Sequence, residues 1–206
     1  LKILELPFKE NLIYPSSEAL LAVSPAGKVP VLTTLDGLNI SESSVICDFI
    51  EETYPEIALY PANASERATV RQIMKMAELY FELPSRRLIP YAFSGTEAPE
   101  SVKAEVRQVL ARGITGLNRL CQFSPWVAGE QFTMADIYLY YVNTIVSAFG
   151  SSQLNWDVLA EVAGMKPWND SMSQSAIAQK VEADRQANMP EFMQKVTAQI
   201  QAANAV

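Results

Sequence analysis

Residues 24–43 read Ser-Pro-Ala-Gly-Lys-Val-Pro-Val-Leu, then an Asp36-Gly37 pair, then Ile-Ser-Glu-Ser-Ser. They hold the groups best suited to bind a ligand. Residues 29–34 form a β-rich run, residues 38–40 a second, and the Asp-Gly pair between them favours a tight hairpin. Pro30 cannot donate a ladder hydrogen bond, so its strand must be an edge or bend there. Neighbouring backbone groups are then free to pair with something peptide-like. Taken singly, Val29-Pro30 is an ordinary edge strand, Ser43 a helix N-cap, and Lys28 and Glu42 solvated charges. Their joint spacing is what points to a site.

Other chemistry is excluded by composition. The chain has no histidine, which removes Ser-His-Asp and Cys-His catalysis, His-ligated zinc and the usual general base near pH 7. Cys47 and Cys121 belong to no Cys-x-x-Cys or metal-type spacing and are expected to be reduced and buried. A net charge of -7 works against nucleic-acid binding. No membrane-spanning run and no secretory leader are read, so a globular, cytoplasmic protein without a metal is expected.

The elements that must position these residues follow from periodicity. Residues 1–8 alternate as a strand, residues 15–18 open a short helix that runs into residues 19–23 and is stopped by Ser24-Pro25, and residues 41–53 form an amphipathic helix. Residues 57–65 lack a pattern and read as a linker, dividing a first domain (1–62) from a second (66–206). The second domain reads as helices throughout. Residues 67–83 and 100–121 are amphipathic, with Pro84 and Pro90 expected to kink or break the chain between them. Thr133 and Asp136 have the arrangement of a capping box, flanked by Phe132 and Ile137 as a staple, ahead of a helix apolar nearly all round. Beyond it, Gly164 and Pro167 read as stop signals and Pro190 as lying near a fresh start of one of several shorter helices. Tyr80, Phe81, Tyr91 and Phe93 either line a hydrophobic pocket or fill the core.

Pro25, Gly27, Val29, Pro30, Glu42 and Ser43 match the Pro-x-Gly-x-Val-Pro segment and later Glu-Ser pair of the glutathione S-transferase family, which the chain resembles over nearly its whole length. Phe132 to Asp136 resembles that family's helix cap. The resemblance implies an α/β thioredoxin-like N-terminal domain and an all-α C-terminal bundle, with glutathione bound between them. It implies a cis bond before Pro30, turning the Val29 amide and carbonyl toward the cysteinyl backbone of glutathione. Ser43, at a helix N-terminus, would receive the γ-glutamyl carboxylate, Glu42 its ammonium, and Lys28 the glycyl carboxylate.

The family's first strand and helix carry the Ser, Tyr or Cys that acts on the glutathione sulfur. The chain is read as beginning at the second strand, missing on the order of 20 residues, so the catalytic residue is expected before Leu1. The resemblance implies conjugation of the glutathione thiolate to a hydrophobic electrophile by a homodimer. The alternatives are a non-catalytic interaction module of the same fold, or a glutathione-dependent thiol oxidoreductase needing a cysteine in that first turn.

Overall fold

The computed structural model describes residues 5–13 and 17–204, and the chain divides into two compact units, Leu1–Pro61 and Ala62–Val206. In the first unit, α1 (Glu18–Leu21) is capped by the Ser17 side chain, which accepts from the Leu20 N–H at 3.2 Å. Strands β1 (Val31–Thr33) and β2 (Asn39–Ser41) pair antiparallel, Val31 opposite Ser41 and Thr33 opposite Asn39. The Gly37 N–H donates to the Thr34 carbonyl at 3.0 Å with Gly37 at φ +90°, a backbone state open to glycine. The Asp-Gly pair therefore sits in a three-residue loop with a left-handed glycine. Helix α2 (Ser43–Thr53) starts two residues later than periodicity suggests, because Ser41 is held in the ladder by Val31.

The strand read at residues 1–8 is not found in its described part, and residues 1–4 lie outside the described residues. Glu5 has φ +53°, which breaks an extended run, and Pro7 lacks an N–H to pair. Residues after α2 are tied back to it. The Glu51 carboxylate accepts from the Leu59 and Tyr60 amides at 2.8 and 3.0 Å, so the patternless segment is anchored at its start.

The second unit is helical: α3 (Ala64–Ala77), α4 (Leu83–Arg86), α5 (Ile89–Ser94), α6 (Glu100–Leu120), α7 (Met134–Phe149), α8 (Met165–Ser173) and α9 (Ala176–Asn204). Asn63 caps α3 by accepting from the Ser65 and Glu66 amides. Between α3 and α4 the chain widens into a π turn over Glu78–Glu82, the Leu83 N–H reaching back to the Glu78 carbonyl. Pro84 supplies no N–H to the turn before it, and the wider turn absorbs that defect without ending the helical path. Buried Val70, Ile73, Phe81, Val106, Leu110, Leu117, Leu139 and Val146 make the core, with Phe81 at its middle. Gly113 is a packing requirement, since a Cβ there would lie 2.7 Å from the Phe81 ring.

Three expectations for the last third are corrected. Gly164 caps the start of α8 at φ +82°, and Pro167 lies in the first turn of that helix, where its missing N–H would have no intrahelical partner anyway. Pro190 lies inside the 29-residue α9, which replaces several shorter helices. It is on an exposed face, where water can serve the carbonyl its ring leaves unpaired.

The buried carboxylate of Asp136 joins separate stretches of this unit. One oxygen accepts from the Val127 N–H at 2.8 Å and the Trp168 indole N–H at 3.2 Å. The other accepts from the Thr133 N–H at 2.8 Å and the Thr133 hydroxyl at 3.2 Å, which completes the capping box. Burial pushes the Asp136 carboxyl up, while the donors from Val127, Thr133 and Trp168 act in the opposite direction. Removing it strands several buried donors at once. Asp136→Ala should therefore lower the unfolding free energy by about 3 kcal/mol or more, read from urea denaturation; a loss below about 1 kcal/mol would contradict this account.

Candidate functional site

Four of the five predicted site residues flank the open end of the hairpin, Val29 and Pro30 just before β1 and Glu42 and Ser43 just after β2. The ladder ends at Val31 opposite Ser41, and Glu42 at φ +70° turns the chain into α2. The Val29-Pro30 bond is cis. Val29 is 45% exposed, and neither its N–H nor its C=O enters a backbone hydrogen bond among the described residues. This is a short edge with one donor and one acceptor left out of the backbone ladder.

Glu42, not Ser43, occupies the N-cap of α2, at φ +70° and with no side-chain capping bond. Its carbonyl accepts the first helical bond from the Ile46 N–H at 2.9 Å. Ser43 is then the first helical residue, so its N–H has no intrahelical acceptor and points with the positive end of the helix dipole. No acidic residue sits in the first turn of α2 to offset that charge. An exposed carboxylate side chain at Glu42 next to a helix-end amide and hydroxyl at Ser43 suits a zwitterionic α-amino-acid group. Lys28 is exposed, adjoins the edge in sequence and forms no ion pair among the described residues.

The serine that opens this stretch reads from sequence only as part of a helix stop. In the structure Ser24 is fully buried, and its hydroxyl donates to the Lys28 carbonyl at 2.8 Å while accepting from the Lys28 N–H at 3.0 Å. Serine ahead of a Pro-x-Gly turn is the available signal, because serine hydroxyls bond backbone groups a few residues away.

Of the four aromatic residues, Phe81 belongs to the core at 0% exposure. The half-buried Phe93 meets Phe149 and Phe192 edge-on, each at 6.2 Å between ring centroids. Both cysteines are free and half-buried. Burial, with a smaller push from Asp48, raises the Cys47 thiol to about 11. Burial and then Asp136 raise Cys121 to about 12. Neither supplies a thiolate near neutral pH. Among the described residues no helix is long and apolar enough to cross a membrane.

A cis-proline hairpin running into a helix start, followed by an all-helical unit, defines a thioredoxin-like N-terminal domain joined to a helical C-terminal domain. The family model for the glutathione S-transferase N-terminal domain matches residues 1–58. A glutathione S-transferase of Pseudomonas putida is 39% identical over 192 residues, covering 93% of this chain and 87% of the relative. A maleylacetoacetate isomerase of Pseudomonas aeruginosa is 25% identical, covering 75% of this chain and 76% of its own length. Among solved structures, a class Gtt2 glutathione S-transferase of Vibrio parahaemolyticus superposes with a TM-score of 0.60 at 26% identity, covering 84% of this chain and 80% of that one. The chain belongs to the glutathione S-transferase family.

The raised thiols make a pH-dependent prediction. A thiol is alkylated as its thiolate, and about one Cys47 in three thousand is ionised at pH 7.5. Alkylation of Cys47 and Cys121 by iodoacetamide, followed by peptide mass spectrometry, should be slow at pH 7.5. It should rise about tenfold per pH unit to pH 9.5 without levelling. A plateau near pH 8.5 at either site would contradict the assignment of buried, protonated thiols.

Proposed function

We propose that the chain is a glutathione transferase that binds the tripeptide at the open end of the β1–β2 hairpin and delivers its thiolate to a hydrophobic electrophile. What supports this reading is the unpaired Val29 edge just before β1 and the start of α2 just after β2, in a chain whose 39% identical relative is a glutathione S-transferase. Val29 pairs through its N–H and C=O with the cysteinyl backbone as an added strand would. Ser43 receives the γ-glutamyl carboxylate through its amide, its hydroxyl and the helix dipole, and Glu42 pairs with the ammonium of the same group. Lys28 reaches the glycyl carboxylate, and Pro30 holds the edge from which Val29 is presented.

Conjugation forms a bond from the glutathione sulfur to the electrophilic carbon, and the leaving group departs with its electron pair. The sulfur belongs to the ligand in this reading. With thiols at about 11 and about 12, Cys47 and Cys121 are poor nucleophiles at neutral pH, so replacing both with serine should leave glutathione chemistry intact. A cytoplasmic homodimer acting in detoxification is the setting this reading expects. A second reading is a glutathione-dependent isomerase, favoured by the similarity to the P. aeruginosa maleylacetoacetate isomerase. Conjugation consumes glutathione, whereas isomerisation returns it.

The reading is tested on the complete protein with glutathione and 1-chloro-2,4-dinitrobenzene, then with haloalkane and disulfide substrates. Turnover that consumes one glutathione per product is the expected result. Ser43→Ala and Glu42→Gln should each raise the KM for glutathione by about tenfold, the loss of one charge-assisted hydrogen bond. No retention on immobilised glutathione and no turnover on any of these substrates would reject it in favour of a non-catalytic interaction module.

A further inference from the structure

We propose that Ser24 is a positioning residue for the tripeptide, aiming the Val29 N–H by holding the peptide plane in which that N–H lies. This rests on the reading of Val29 as a glutathione contact. Ser24 is fully buried, and one hydroxyl engages both backbone groups of Lys28, donating to its carbonyl at 2.8 Å and accepting from its N–H at 3.0 Å. The Lys28–Val29 bond is not among the cis bonds, so it is a planar trans peptide whose C=O and N–H point in opposite directions. Drawing the Lys28 oxygen inward onto the buried hydroxyl therefore turns the Val29 N–H outward. That N–H has no backbone acceptor among the described residues, and Val29 is 45% exposed.

The rest of the turn closes around the same serine. The Gly27 N–H donates to the Ser24 carbonyl at 3.0 Å, and Gly27 has φ +62°. A Cβ at Gly27 would lie 3.0 Å from Leu21 Cδ2, so the turn packs tightly on α1. Three hydrogen bonds on Ser24 thus hold Gly27 and Lys28 before any ligand arrives. A ligand carbonyl meets a donor already aimed at it, and less conformational freedom is lost on binding. Without the hydroxyl, both Lys28 groups turn to water and the plane carrying the Val29 N–H is free to rotate.

Calorimetric titration with glutathione and steady-state kinetics on Ser24→Ala and Ser24→Thr test this, with folding followed by circular dichroism and urea unfolding. Ser24→Ala should weaken glutathione binding and raise its KM by about tenfold, with kcat at saturating glutathione within about twofold. Ser24→Thr, which keeps the hydroxyl, should stay within about threefold of the parent. A serine needed only for stability would instead lower the unfolding midpoint and the active fraction without moving the KM. If Ser24→Ala does not fold, Ser24→Cys carries the comparison and should also weaken binding, since a thiol is a poor donor and acceptor. Parent-like affinity in either folded variant overturns the role of Ser24 and leaves the glutathione reading standing. Unfolding of both also overturns it. A parent protein that does not bind glutathione overturns the underlying reading instead.

Discussion

The helical unit depends on one buried carboxylate. Asp136 accepts four hydrogen bonds, from the Val127 amide, from the Thr133 amide and hydroxyl, and from the Trp168 indole. Each donor comes from a segment that would otherwise bury an unpaired polar group: an irregular stretch before α7, the first residue of its cap, and α8. Desolvating a carboxylate is costly, and four donors offset that cost only if all are held in place. The cap, the irregular stretch and α8 are therefore coupled: none can shift without leaving the carboxylate short of a partner.

The same rule operates on a smaller scale in the first unit. There the buried acceptor and donor are one hydroxyl, that of Ser24, and what it orders is a turn rather than a bundle. In both places a polar side chain inside the protein satisfies backbone groups of an irregular segment, because regular ladders cannot reach them. The Ser24 turn and the π turn at Glu78–Glu82 are both departures from regular structure next to a proline. Each is stabilised by an alternative bond, so the chain keeps its path where proline removes a donor.

Residues whose roles are local were legible in the sequence. The hairpin, the α2 helix, the Thr133–Asp136 cap and the buried character of α7 all follow from turn chemistry, period and capping, which need only a few neighbouring residues. Boundaries set by tertiary pairing were not. Ser41 has helix-compatible neighbours, yet its pairing opposite Val31 places it in a strand, which moves Glu42 to the N-cap and Ser43 into the first turn. Gly164 and Pro167 failed as stop signals, and Pro190 as the mark of a fresh start, for a related reason. Glycine and proline are tolerated at the start of a helix or on a solvated face, and only the fold decides which position they take. Ser24 escaped notice because a buried hydroxyl four residues before its partner has no periodicity to betray it.

The chemistry of sulfur adds a further constraint. An enzyme that used its own thiol would need a lowered pKa, through a cation, a helix N-terminus or a second thiol nearby. At Cys47 and Cys121 the thiol is pushed up instead: burial is the leading cause at both, and the carboxylates of Asp48 and Asp136 add to it. The start of α2 carries a positive helix end with no acidic side chain in its first turn, and Cys47, four residues further along the same helix, is still held protonated by burial. Burial, and not distance from the helix end, is what keeps the Cys47 sulfur protonated. A thiol held protonated this way is a poor nucleophile and enters disulfide exchange slowly, so its place on the helix does not make it reactive.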